Sequence, residues 1–285
     1  METLTFTNIR GEVVTFGGPP FYLQKVDGLG DVSASIQTQR APYQNGSKYI
    51  DSVLDERIIP VEFVIAVDEE KGYKGVSESR TQIGRVLNPL LGLGTLKYSN
   101  GHIEREIKAV ADSVPIYPDG PRTKLIQKGL VTFLCPSPFW EEVNPEVFKL
   151  EDFVGAFRFP FHFPVRFSTR GDGKTLVNKG DVPTPIQVEF RGPVTNPKIT
   201  NTSTGEFIKV NQTIPEGFKL LIDTSEGNKK VDIIAPDGIP SNGFPYIDDA
   251  SDFFSLDVGE TRISFITDGG KPEVYVKYKN RYLSV

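Results

Sequence analysis

Cysteine, histidine and tryptophan are almost missing from this chain of 285 residues, which holds one cysteine, two histidines and one tryptophan. The single cysteine, Cys135, excludes an internal disulfide and fits a protein that folds under reducing conditions. It precedes Pro136 with no base or cationic neighbour in sequence, so it reads as a packed thiol and not as a nucleophile. His102 and His162 stand in unrelated contexts, and neither has a second His or Cys at ligand spacing, so no metal site is expected. Long apolar runs are absent too, which leaves nothing able to span a bilayer as a helix. The opening METLTFTNIR goes straight into strand-like alternation, without the basic and apolar segments of a secretion signal. Basic excess is lacking: 32 Lys and Arg face 37 Asp and Glu, the formal charge is −5, and the pI is near 5.3. Such a chain has no field to hold phosphate backbones, although an acidic surface would let DNA slide past without sticking. Nucleophile elbow, phosphate loop and His-Glu-x-x-His motifs are all missing. The expectation is a protein without catalysis, cofactor or metal.

Glycine (27), proline (22) and phenylalanine (20) are plentiful, while long Ala/Leu/Glu/Lys runs are not, which is the usage of many short strands joined by turns. The fold class is therefore mainly β. A chain this long buries about 75% of its unfolded surface, as one large domain or two ordinary ones. Residues 4–36 contain short extended runs separated by Asn, Gly and Pro turns, read as a small meander. Residues 37–57 are polar and mixed in charge, yet carry Tyr43, Tyr49 and Ile50, which predicts a hairpin or arm leaving the body. Residues 58–65 return as an apolar strand. One short helix is predicted from Ser77 to about Leu87, with Ile83, Val86 and Leu87 on one face, Ser77 or Ser79 as N-cap, and Asn88-Pro89 as the stop. Asn100-Gly101 marks a hairpin, and residues 125–134 form the last strand of this half.

A boundary is placed in the Pro-dense segment after Cys135, giving domains 1–135 and 136–285. A second aromatic and proline cluster follows at residues 157–164, and the Gly171-Asp172-Gly173, Asp237-Gly238 and Asp268-Gly269-Gly270 turns separate short alternating strands beyond it. That rhythm, without helical pattern, predicts a sandwich of two antiparallel sheets. Acidic pairs at Glu69-Glu70, Glu141-Glu142 and Asp248-Asp249 raise a glycosidase alternative, but adjacent strand residues point to opposite faces. Asn45, Asn201 and Asn211 head sequons that matter only in a secreted eukaryotic setting. Trp140, Tyr246, Phe253, Phe254, Tyr275, Tyr278 and Tyr282 raise a sugar-stacking alternative, against the usual core role of strand aromatics.

The order of these pieces resembles the distal tail protein family of phages with long, flexible, non-contractile tails. The resemblance is carried in the first half by residues 58–65, Leu87-Asn88-Pro89, Gly92-Leu93-Gly94-Thr95-Leu96 and Pro136-Ser137-Pro138-Phe139-Trp140. In the second half it is carried by Asn178-Lys179-Gly180-Asp181, Gly192-Pro193-Val194-Thr195-Asn196-Pro197, residues 201–206, residues 221–224 and residues 253–259. It implies an N-terminal ring-forming β domain whose arm, at about residues 37–57, embraces a neighbour in a homo-hexamer. It also implies a C-terminal galectin-like antiparallel β-sandwich that carries receptor-binding or baseplate proteins. Tail tube protein above and tail-tip hub protein below complete the implied partners, with DNA passing through the lumen unbound and no membrane insertion. The implied place is the virion tail tip, after assembly in the host cytoplasm. Larger relatives carry an inserted carbohydrate-binding module, for which the connections here leave no room. Arg40, Tyr43, Tyr49 and Ile50 are the candidate arm contacts, the first three being residue types enriched at interface anchors. A monomeric carbohydrate-binding β-sandwich is the alternative.

Overall fold

The computed structural model describes residues 2–118, 125–150, 169–170 and 173–285. The expected aromatic cluster at 157–164, His162 within it, and Gly171 and Asp172 lie outside the described residues. The chain divides into two units, Met1–Val143 with Tyr282–Val285, and Asn144–Arg281.

The first unit is built on β1 (Thr3–Thr7), β2 (Val13–Phe16), β3 (Phe21–Val26), β4 (Ala34–Gln39), β5 (Lys48–Leu54), β6 (Arg57–Ala66), α1 (Gly72–Val86), β7 (Gly94–Ser99), β8 (Glu104–Ala111) and β9 (Ile126–Cys135). All but β4 and β5 of these strands form one antiparallel sheet in the order β2-β1-β7-β8-β9-β6-β3. The expected meander is therefore only half present, because β1 pairs with β2 while β3 crosses to β6. The two end strands are neighbours in sequence, joined by the turn at residues 17–20 with a Gly18–Phe21 bridge, so the sheet curls back on itself. Phe16, Phe21 and Phe63, from β2, β3 and β6, meet inside with ring centres 5.1 to 6.4 Å apart. Strict alternation along β6 produces this interior: Arg57, Ile59, Val61, Phe63 and Ile65 are buried, and Ile58, Pro60 and Glu62 face out. Opposite Phe63 on β9 stands Gly129, where a Cβ would lie 2.4 Å from the Phe63 ring, so the small residue makes room for the large one.

The helix begins five residues earlier than the sequence suggests. Neither Ser77 nor Ser79 caps it; Lys71 precedes the first turn without a side-chain cap bond, and Ser79 is buried on the inner face. The reason is the stripe Val76, Ser79, Ile83, Val86, whose three- and four-residue spacing extends the packed face N-terminally past the expected start. The C-terminal end follows proline chemistry: Asn88 is extended at φ −71°, ψ 115°, and its side chain accepts from the Leu90 N–H at 3.0 Å. The β1–β2 turn is tied to the helix, with the Asn8 amide donating to the Val86 carbonyl at 3.2 Å and Arg85 pairing with Glu12 at 2.9 Å.

The first unit continues past the expected boundary at 135/136. Trp140 is fully buried in its core, and Trp140–Glu142 pairs with β8, placing Glu141 opposite Glu106 and Glu142 opposite Arg105. Pro136 and Pro138 precede a short strand that the sheet takes in, and do not mark a boundary between the units. The second unit holds a six-stranded antiparallel sheet, Glu146–Leu150, Glu273–Tyr278, Gln187–Arg191, Lys219–Asp223, Lys230–Ile234 and Pro240–Asn242 in spatial order. A second sheet is centred on Gly259–Thr267, with Lys198–Asn201 and Phe207–Lys209 to one side. Val188, Phe190, Ile222 and Val276 from the first share a core with Ile199, Ile208, Ile263 and Phe265 from the second. Phe190 and Phe265 meet edge to face at 6.2 Å, the contact of two sheets laid face to face.

Candidate inter-subunit interface

Between β3 and β6 the chain leaves the sheet as a separate two-stranded hairpin, β4 paired with β5 and, among the described residues, with no other strand. Every residue of β4 is exposed, and so is every residue of β5 except half-buried Leu54. An isolated hairpin is at best marginally stable in water, and this one has both faces exposed. The register pairs Ile36 with Ser52, Ser35 with Val53 and Thr38 with Tyr49, and a bulge at Ile50 shifts the strands by one. Opposed residues share a face, which sets Ile36, Thr38, Tyr49 and Ser52 on one side and Ser35, Gln37, Asp51 and Val53 on the other. The Tyr49 hydroxyl hydrogen-bonds Ser52 at 2.9 Å on that first side. Ile36 is 63% exposed, Tyr49 58%, Ile50 54% and Val53 58%.

The expected arm residues all lie on this hairpin. Tyr43 stands at its tip, fully exposed in the left-handed region at φ 65°. Arg40 folds onto the tip: its Nε donates to the Gln44 carbonyl at 2.9 Å, while the Ala41 N–H donates to the Gln44 side chain at 3.1 Å. Its role is thus to shape the turn. The strands run from 34 to 54, three residues earlier at each end than the 37–57 span, because Arg57 belongs to the interior face of β6. Ile36 and Val53 join the expected residues on the hairpin, and the alternation of Ala34, Ile36 and Thr38 against Ser35 and Gln37 is their sign in the sequence.

The remaining sequence candidates do not converge. His102 sits exposed in the β7–β8 turn, and Cys135 is buried with its thiol pushed up to about 12 by burial, Arg57 pulling the other way. Among the described residues no group of three or more His, Cys, Asp and Glu side chains gathers as a cation site requires. Glu142 accepts from the Tyr282 hydroxyl at 2.8 Å. Asp248 is drawn below its usual range, first by the Ala250 N–H and next by Asn211. Of the aromatics proposed for sugar stacking, Trp140, Phe254 and Tyr278 are buried, Tyr282 belongs to the first unit, and Tyr275 lies under Arg191 at 4.4 Å. No described helix is long and apolar enough to cross a membrane.

Two sequence families match this chain, in the order of its units. Residues 10–135 match the family described as phage tail protein RIFT-related domain, and residues 179–282 match the siphovirus-type tail component, C-terminal domain. The chain belongs to the siphovirus distal tail protein family. Solved structures agree on the fold. The Dit protein of phage SPP1, described as a paradigm of the hub adsorption apparatus in Gram-positive infecting phages, is 13% identical with a TM-score of 0.71, over 99% of both chains. A chain of the phage P2 baseplate in its activated conformation is 12% identical with a TM-score of 0.54, over 97% of both chains. No curated protein matches the sequence. As a distal tail protein the chain belongs to a family of structural components of the virion tail.

Proposed function

We propose that this chain assembles as a homo-hexameric ring at the tail tip and serves as the hub between tail tube protein, tail-tip hub protein and receptor-binding or baseplate proteins. The observation that carries the reading is the hairpin 34–54, exposed on both faces in a family of tail components. A closed ring uses heterologous contacts, in which each subunit offers two different patches, and a projecting hairpin is one such patch. Tyr43, Tyr49, Ile50 and Ile36 supply its apolar contacts, with Arg40 holding the tip. The likeness of fold to the SPP1 hub protein and to a phage P2 baseplate chain supports the same reading. The second unit, with its separate core, is the outward-facing platform for adsorption proteins, and subunits made in the host cytoplasm join the tail there. A net charge of −5 suits a lumen through which DNA moves without being held.

Negative-stain electron microscopy with light scattering on the purified protein tests this reading, with tube protein added where needed. Six-fold rings with an open centre are expected, and deletion of residues 35–53 should leave folded monomers. Monomers alone under all these conditions would sink the hub, and rings that survive the deletion would sink the arm.

A further inference from the structure

Alternation along β6 carries Arg57 to the same side as Ile59, Val61, Phe63 and Ile65, and the side chain is 1% exposed. Its guanidinium meets backbone carbonyls from three distant segments. Nη1 donates to Gly28 at 2.7 Å, Nε to Pro138 at 2.8 Å, and Nη2 to Leu283 at 2.6 Å. The guanidinium carbon lies 6.0 Å from the centre of the Trp140 ring, and the Trp140 indole N–H donates to the Leu29 carbonyl at 3.1 Å. Gly28 has φ +82°, and a Cβ there would lie 2.1 Å from the Ile58 carbonyl oxygen, so only glycine lets this stretch press against β6.

The three segments have distinct places in the chain. Gly28 and Leu29 are the root from which the hairpin departs, and Arg57 itself stands where it returns. Pro138 precedes the crossing into the second unit, and Leu283 follows the return. Burial of a cation is costly unless its donors are met, and burial pulls the Arg57 pKa down, with Cys135 and Asp31 opposing. A leucine or methionine would fill the same space at lower cost, but only a planar fork of donors bridges three carbonyls at once.

We propose that Arg57 is a positioning residue for assembly: it fixes the direction in which the hairpin leaves the body, and does so only once Leu283 has come back to the first unit. This rests on the hairpin being the inter-subunit arm. A chain that has not completed its second unit then carries a loosely rooted arm, so competence for ring formation follows completion of that unit.

Hydrogen exchange of the full-length monomer tests the clasp, using Arg57→Lys, deletion of residues 282–285, and both together. Peptides covering 27–33 and 55–58 are expected to exchange about tenfold faster in each, and still about tenfold faster than wild type, not a hundredfold, in the combination, because both changes undo one clasp. Peptides of β1 and β2, which touch neither Arg57 nor residues 282–285, should keep their wild-type rates. Unchanged exchange at 27–33, or full additivity, overturns the clasp. Should Arg57→Lys fail to fold, Trp140→Phe removes the donor to Leu29 together with part of the buried ring beside the guanidinium and is expected to loosen 29–33 most; no change there counts against the proposal equally. Association of the same variants should weaken about tenfold by light scattering. A loosened root with unchanged association overturns the positioning role, whereas unchanged association after deleting 35–53 sinks the arm reading itself.

Discussion

Cys135 shows how one buried side chain writes itself into the pH dependence of the whole fold. In the native state burial holds its thiol protonated up to about 12, while the unfolded chain releases the proton near its ordinary value of about 9. The unfolded state therefore binds fewer protons between those values, so stability is complete below about pH 9 and declines as pH rises toward 12. The full decline is on the order of 4 kcal/mol. Cys135→Ala is expected to flatten urea-midpoint curves measured from pH 8 to 11, at a modest cost at neutral pH. An unflattened curve would assign the alkaline loss to other groups. The same burial predicts that thiol reagents label the protein only after unfolding.

At the scale of the element, the hairpin has two unlike faces, and that difference is testable. Ile36→Asp and Tyr49→Asp place charge on the side that holds Ile36, Thr38, Tyr49 and Ser52, whereas Val53→Asp alters the side shared with Ser35, Gln37 and Asp51. If the first face covers the neighbour, the first two changes should weaken association by about a hundredfold and the third by less than about tenfold. Monomer melting should be unaltered in all three, since none of these side chains is buried. Equal effects from both faces would mean that the hairpin is enclosed on two sides. A hairpin leaving the body was readable from its polar, aromatic-bearing sequence, but its ends were not. Arg57 is charged, as a solvated root residue would be, yet the strand alternation that buries it becomes meaningful only with β6 seated between β3 and β9.

For the whole molecule, two separate cores imply two separable folding units. Residues 144–281 made alone are expected to melt cooperatively by circular dichroism, with the sheets joined by the Phe190–Phe265 contact. A non-cooperative transition would show that this core depends on the first unit. The first unit is not a simple N-terminal segment, because Tyr282–Val285 return to it: Tyr282 bonds Glu142, and Ser284 accepts from Arg105, whose guanidinium lies 3.5 Å from the Tyr282 ring.

Composition and period-two alternation determined the mainly β class, the strand at 58–65, the β7–β8 hairpin and the end of the helix, since each follows from local rules of turn, proline and face. The quoted runs of residues also determined the family. Long-range pairing decided the rest: β3 crosses to β6, Trp140–Glu142 just past Pro136 and Pro138 joins a sheet, and Arg57 holds Gly28, Pro138 and Leu283 together. Those contacts join positions up to 226 residues apart, and no local preference specifies them. Only closure of the core, which makes burial of Trp140 and Arg57 worth its cost, brings such segments to one place.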